Sequence, residues 1–399
     1  MRGAGLAGSW QSAQPSPPPR TPVLPPDLLR HLRADASLEN VWVPVAFAVL
    51  LLLSAAVLVF RFRRRKRLGV RPSRLALRRT GAALWLVLLA VLAIAAEVNR
   101  YVGYVPSVTA LRGQLGGDPG LGVVHAKANR SGSRLVRVEV PAPSAGMSPL
   151  GAYVYLPPGY DDPKNTAVRY PVLYLIHGSP GWPIDWFRAA RAGTAMDGLL
   201  DAKLARPMII VAPTANRGFL DDSECLNAVN GPQIETYLTG DVVAFVDSHY
   251  RTVANRTGRG IGGISAGGYC ALNLGLRHQD EYSVVLAHMP YGDPGTEPEI
   301  TRRLLGGQPA LYRANSPRLY LPTLQFKAPV AFFMDVGSND TALVGDARRL
   351  AAMLTGAHQQ VDLRVVPGEA HTWRLGRDEV PYSLAFAASQ FDQTLGPAQ

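Results

Sequence analysis

The sequence predicts an α/β fold in its larger, C-terminal part: a mainly parallel sheet flanked by helices, preceded by two transmembrane helices. Three observations predict it. From residue 135 onward, short apolar runs alternate with helical patterns. Two uncharged runs, 41–60 and 81–96, flank an arginine-rich segment. A cluster of small residues, "GGISAGGYC" (262–270), falls where a strand gives way to a helix.

The charge pattern explains the first part of the chain. The 399 residues carry a formal net charge of +11 and 47% hydrophobic residues. The stretch 61–79, "RFRRRKRLGVRPSRLALRR", holds ten basic residues and no acidic one, so 11 − 10 leaves +1 elsewhere. The basicity is local, and no basic face for nucleic acid is implied. A helix needs about 20 apolar residues to cross a bilayer, which "VWVPVAFAVLLLLSAAVLVF" (41–60) supplies alone. The shorter run 81–96 is extended by Thr80 and by the stretch to Tyr104, where Tyr101 and Tyr104 suit an aromatic belt. Basic loops stay in the cytoplasm, so 61–79 is expected inside, with both ends of the chain outside. The first apolar run begins forty residues in, unlike a cleaved signal peptide. The expected organisation is a disordered Pro-rich tail (1–40), a transmembrane hairpin (41–104), a linker (105–133) and an exported domain (134–399) in a multi-pass protein of the cell membrane.

Within the exported part the elements follow in order. "LVRVEV" (135–140) alternates with period two, and "GAYVYLPP" (151–158) also reads as a strand. The apolar runs 171–178 and 207–214 suit strands buried on both faces. "YLTGDVVAFVDSHY" (237–250) reads as an amphipathic helix. "GRGIGGIS" (258–265) gives a short strand and 266–278 a helix. Three more strands are expected at 282–290, 329–337 and 361–368, with helices at 341–355 and 382–394. Residues 291–327, rich in Pro, Gly and Arg, read as an insertion over the sheet edge, and no internal repeat is present.

Gly263-Ile264-Ser265-Ala266-Gly267 fits G-x-S-x-G, in which the serine occupies a strained strand-to-helix turn and flanking glycines avoid collisions. A simple helix cap is the alternative for Ser265; the strand before and helix after favour a nucleophile. A serine hydroxyl needs a base, and four histidines follow it: His278, His288, His358 and His371. His278 lies in the elbow helix, His288 in the next strand, and His358 ahead of the last strand. His371 leaves the carboxyl end of the last strand, at the same sheet edge as the serine, and is the expected base. The acid that orients it is expected at Asp340, beyond a Gly-Ser-Asn turn, with Asp335 in reserve and Glu369 too near in sequence to be the natural partner. Backbone donors for an oxyanion are expected at Ala266 and, in the glycine-containing loop 177–182, at Ser179. The two cysteines, Cys225 and Cys270, favour one disulfide over two buried thiols in an exported domain.

The segments "YLIHGSPGWPIDWF", "GISAGGYCALNLGLRH", "FFMDVGSND" and "GEAHTW" occur in an order that resembles the esterase (esterase D/antigen 85-like) group of α/β hydrolases, over roughly residues 134–395. The resemblance implies an α/β-hydrolase fold, a triad of Ser265, Asp340 and His371, and an oxyanion hole at Ser179 and Ala266. Its acid follows a glycine turn such as "GSND", which supports Asp340. The group includes feruloyl and acetylxylan esterases, S-formylglutathione hydrolases and mycolyltransferases. With two spans, the arrangement is similar to that of actinobacterial membrane-tethered members. Antigen 85 proteins have an aspartate where His177 stands, a departure that points away from a mycolyltransferase and leaves the broader esterase reading. The segment "DDSECLNAVNGPQIETYLTGDV" resembles a substrate-side loop, which Cys225 would clamp to Cys270. Trp182, Trp186 and Tyr269 are expected to line the acyl pocket, with core packing as the alternative.

The expected function is therefore a membrane-anchored serine carboxylic ester hydrolase at the outer membrane face. It would need no cofactor or metal; its partners would be an ester or lipid substrate and the bilayer. The alternatives are an acyltransferase of envelope lipids and a non-catalytic hydrolase-fold binding module. The latter has no need of Ser, Asp and His in that order.

Overall fold

The structure, a computed structural model, describes residues 22–33, 36–68, 75–115, 132–218 and 221–396. Eight strands form one sheet in the order β1-β2-β4-β3-β5-β6-β7-β8. They are β1 Arg134–Ala142, β2 Met147–Leu156, β3 Val172–Ile176, β4 Ile209–Pro213, β5 Arg259–Ile264, β6 Val284–His288, β7 Ala331–Gly337 and β8 Gln360–Val366. β2 runs antiparallel to both its neighbours, and every pair from β4 through β8 is parallel. All eight strands stand where the apolar runs predict them.

The period-two geometry of strands divides the core between two faces. Val172, Tyr174 and Ile176 of β3 face one apolar layer, which the helices Val242–His249, Ala266–Arg277 and Thr341–Gly356 complete. Leu173 and Leu175 face the other, closed by Ala192–Asp201 and Trp373–Leu395. Helices on both faces of a mostly parallel sheet, with this strand order and an antiparallel β2, form the α/β-hydrolase fold. β3, β5, β6 and β7 point their carboxyl ends the same way, so the loops after them gather at one edge.

Part of the tail expected to be disordered is a helix, α1 Pro26–Arg33, whose Leu32 packs into the second layer beside Leu24. Residues 1–21 and 34–35 of that tail lie outside the described residues. Two long helices follow, α2 Trp42–Arg67 and α3 Leu75–Val102, extending into the expected basic loop from both sides; residues 69–74 lie outside the described ones. The segments Trp42–Arg64 and Thr80–Val102 are long and apolar enough to cross a membrane. Leu52, Phe60, Leu84 and Ile94 on them are exposed. The indole N–H of Trp85 donates to Ser54 Oγ at 3.2 Å, joining the pair.

The insertion 291–327 covers the elbow helix rather than lying free. Tyr320 donates to Asn273 Oδ1 at 2.9 Å, and Tyr269 donates to the carbonyl of Asn315 at 2.6 Å. Cys225 and Cys270 are bonded, closing a loop of sequence separation 45. Closing a loop of that size stabilises a fold by roughly 2–4 kcal/mol, mainly by restricting the unfolded chain. The bond also ties the segment after β4 to the helix that begins at Ala266.

Candidate active site

At the gathered loop edge, Ser265 holds φ 59° and ψ −119° between β5 and the helix Ala266–Arg277. A non-glycine residue rarely adopts such a backbone, and the surrounding structure must enforce it. The flanking glycines permit the turn. A Cβ on Gly263 would stand 1.8 Å from the carbonyl oxygen of Gly267, and one on Gly267 would stand 2.2 Å from that of Ile176. The backbone N–H of Ser265 is fixed by the carbonyl of His288 at 2.9 Å.

His371 reaches Ser265 from the loop after β8. Its Nε2 accepts from the Ser265 hydroxyl at 2.8 Å, and its Nδ1–H donates to Asp340 Oδ2 at 2.9 Å. The other oxygen of Asp340 caps the helix Thr341–Gly356 through the N–H of Leu343 at 3.4 Å, which holds the carboxylate in place. The loops carrying base and acid are laced together, with Ser338 N–H on the Val366 carbonyl at 2.9 Å and Asn339 N–H on the Glu369 carbonyl at 2.8 Å. The side chain of Asn339 adds a bond to the Gly368 carbonyl at 2.9 Å. Glu369 is engaged by Arg374 at 2.9 Å instead of by the histidine.

Asp335, the reserve acid, is engaged elsewhere. It is fully buried and bonded to Nδ1 of the equally buried His288, one strand over. A partner that sequence reasoning missed accommodates its burial. His288 and Asp335 stand in register on adjacent parallel strands, a pairing that appears only once the strands are aligned.

Gly178 lies directly against the elbow, since a Cβ there would sit 3.4 Å from Ser265 Cβ and 3.1 Å from the Ile264 carbonyl. Ser179 is the next residue, its hydroxyl donating to the Asp221 carbonyl at 3.1 Å. Ala266 begins its helix, so its N–H has no intrahelical carbonyl to meet. His177 pins this loop. Its Nδ1–H donates to the Gly178 carbonyl at 2.8 Å, and its Nε2 accepts the N–H of Ala215 at 3.0 Å. Burial pushes the imidazole down to about 4, against the pull of the Gly178 hydrogen bond, so the ring stays neutral and keeps both roles at pH 7.

The aromatic expectations divide. Trp182 is 39% exposed at the rim of the loop. Trp186 is 0% exposed and packs edge-on against Trp373, while Tyr269 is 0% exposed and stacks on Tyr291 at 5.2 Å. Both are buried in the packing, where inward-facing positions go to the largest apolar side chains. Beside Ser179 the sequence concealed a cavity of about 520 Å³ lined by Asp222, Glu224, Asp293 and Glu297. Burial, then the charge of Asp222, raises the Glu224 carboxyl well above its ordinary range.

A family model described as "Putative esterase" matches residues 146–392, more than half of the chain. An uncharacterized protein of Corynebacterium glutamicum is 28% identical over 176 residues, which span 44% of this chain and 41% of that protein. An esterase of Mycobacterium tuberculosis is 27% identical over 181 residues, 44% of this chain and 36% of its own length. The chain thus matches about two fifths of these relatives. Among solved structures, a ferulic acid esterase superposes with a TM-score of 0.56 at 25% identity, covering 65% of this chain and 98% of that one. An S-formylglutathione hydrolase from Agrobacterium tumefaciens superposes with a TM-score of 0.56 at 18% identity, covering 67% of this chain and 99% of its own, a likeness of fold.

Proposed function

Because the chain belongs to the Esterase family of α/β hydrolases, we propose that it is a serine carboxylic ester hydrolase whose nucleophile is Ser265. The observation that carries this reading is the continuous chain from Ser265 Oγ through the His371 ring to Asp340, at 2.8 and 2.9 Å.

Ser265 Oγ attacks the ester carbonyl carbon while His371 Nε2 takes its proton. The negative charge that develops on the carbonyl oxygen is met by the backbone N–H groups of Ala266 and Ser179. Asp340 holds the Nδ1–H tautomer and stabilises the imidazolium. The C–O bond to the alcohol then breaks, and the histidine returns the proton to the leaving oxygen. Water, activated by the same imidazole, attacks the acyl-serine, releasing the carboxylic acid and restoring the serine. Trp182 stands at the mouth as the aromatic contact for substrate.

α2 and α3 cross the cell membrane in this reading, with the arginine-rich 61–79 in the cytoplasm and the hydrolase part outside. The two apolar stretches, each long enough to span and each exposed along its length, support it. The acyl acceptor separates a hydrolase from a transferase. With 4-methylumbelliferyl acetate as acyl donor and glycerol in excess, the full-length protein is expected to release acetate as its main product. Glyceryl acetate as the main product would make the protein an acyltransferase instead, and no turnover would remove the esterase reading.

A further inference from the structure

The ends of the two long helices are built into the candidate site. The span in α3 ends at Val102. Gly103 follows with φ +70°, and a Cβ on it would lie 2.8 Å from Arg374 Cβ, so the chain passes directly over the start of the last helix. The Gly103 carbonyl accepts from Arg377 at 2.9 Å. Arg377, only 7% exposed, also grips both carboxylate oxygens of Glu39 at 2.6 and 2.7 Å. Glu39 lies just ahead of α2, so one guanidinium holds both ends of the pair. Leu38 N–H on the Pro106 carbonyl at 3.0 Å closes the join. Tyr104 donates to Asp185 Oδ1 at 2.9 Å, and Asp185 Oδ2 accepts the N–H of Trp182 at 2.7 Å. The segment beginning at Trp182 and the helix that follows His371 are thereby fixed to the helix pair.

That docking sets a height. Tyr104 is two residues past the apolar span, and the polar zone of a bilayer reaches about 5–8 Å beyond its hydrocarbon. With α2 and α3 as spans, Asp185 and Trp182, one and two contacts farther on, come to headgroup level. The same segment, through Trp182 and Arg188, lines a cavity of about 490 Å³ with Arg137 and Arg217. Glu139, paired with Arg137 at 3.0 Å, is the one carboxylate among the lining residues beside three guanidiniums, and Asp185 lies within the field of Arg188. Guanidiniums match the planar, bidentate geometry of phosphate oxygens.

We propose that this arginine-lined cavity takes the anionic, phosphate-bearing headgroup of a lipid in the leaflet the helix pair enters, and that the substrate is an ester carried by that lipid. The proposal rests on Ser265 as nucleophile and on α2 and α3 as membrane spans. A tether alone would need no rigid docking. Burying the Arg377–Glu39 pair costs desolvation, and what it supplies is a fixed orientation of the mouth toward the bilayer surface.

The test uses the full-length protein in phosphatidylcholine vesicles doped with acyl-labelled phosphatidylglycerol or acyl-labelled phosphatidylcholine, alongside soluble 4-methylumbelliferyl acetate. Labelled phosphatidylglycerol is expected to lose its acyl group at least about tenfold faster than the labelled phosphatidylcholine, the factor one charge-assisted contact supplies. Arg217→Gln and Arg137→Gln should each lower the ratio of the phosphatidylglycerol rate to the acetate rate by about tenfold. Excess inorganic phosphate, competing for the same guanidiniums, should lower that ratio and leave the acetate rate unchanged. Equal cleavage of the two lipids, or cleavage of acetate alone, overturns the headgroup site while leaving the esterase reading in place. Strong inhibition by inorganic phosphate with no lipid cleavage would reassign the cavity to a soluble phosphate ester. Loss of all three activities, acetate included, would instead be a failure of the esterase reading itself.

Discussion

Ser265→Ala is expected to lower kcat on 4-methylumbelliferyl acetate by about 10⁴–10⁶, and His371→Ala by a similar factor. The size follows from the 2.8 Å contact between them. Without the imidazole, the hydroxyl must give up its proton to water while it attacks; without the hydroxyl, the base activates nothing bound to the protein. Since the two act as one unit, the double variant should be no slower than the worse single one. In the proposed mechanism, the residual rate would report what the N–H groups of Ala266 and Ser179 do alone. Steady-state kinetics on the three variants, each checked for an unchanged thermal midpoint, measures this. Losses of tenfold or less would mean that another group is the nucleophile.

Asp340→Asn should cost about 10⁴ in kcat with little change in stability. An amide in place of Oδ2 donates to Nδ1 as readily as it accepts, which turns the ring toward the wrong tautomer, and it cannot balance the imidazolium. Asparagine caps helices as well as aspartate does, so the helix Thr341–Gly356 keeps its start. Asp335→Asn gives the contrast that separates the two acids. It replaces the charged acceptor of a fully buried hydrogen bond to His288 by an amide, so its effect should be read in the thermal midpoint, at a cost of about 1–3 kcal/mol. If Asp335→Asn, and not Asp340→Asn, removed turnover from folded protein, the assignment of the acid would be reversed.

The strands were legible because parallel strands buried on both faces leave continuous apolar runs, and β3, β4, β6 and β7 do so. Ser265 and its glycines were legible for a related reason: the turn cannot be made with other residues at Gly263 and Gly267. The first turns of the last helix were not. It starts at Trp373, ahead of the expected 382, because Pro381 inside it reads as a break and its early turns engage Arg377 with distant partners. α1 was hidden by the prolines before it, its apolar face meaningful only against the domain it covers. The roles of His177 and His288 depend on neighbours brought close by strand register and by the loop after β4. No local pattern encodes those contacts.

Whether Ser265 is an activated nucleophile decides everything that follows from it. The most direct measurement is reaction of the full-length protein in membranes with a fluorophosphonate probe, followed by mass-spectrometric identification of the modified residue. A single adduct is expected, on Ser265, that disappears in Ser265→Ala and is strongly slowed in His371→Ala. An adduct on a different serine, or none on protein that keeps its native thermal midpoint, would contradict that role for Ser265.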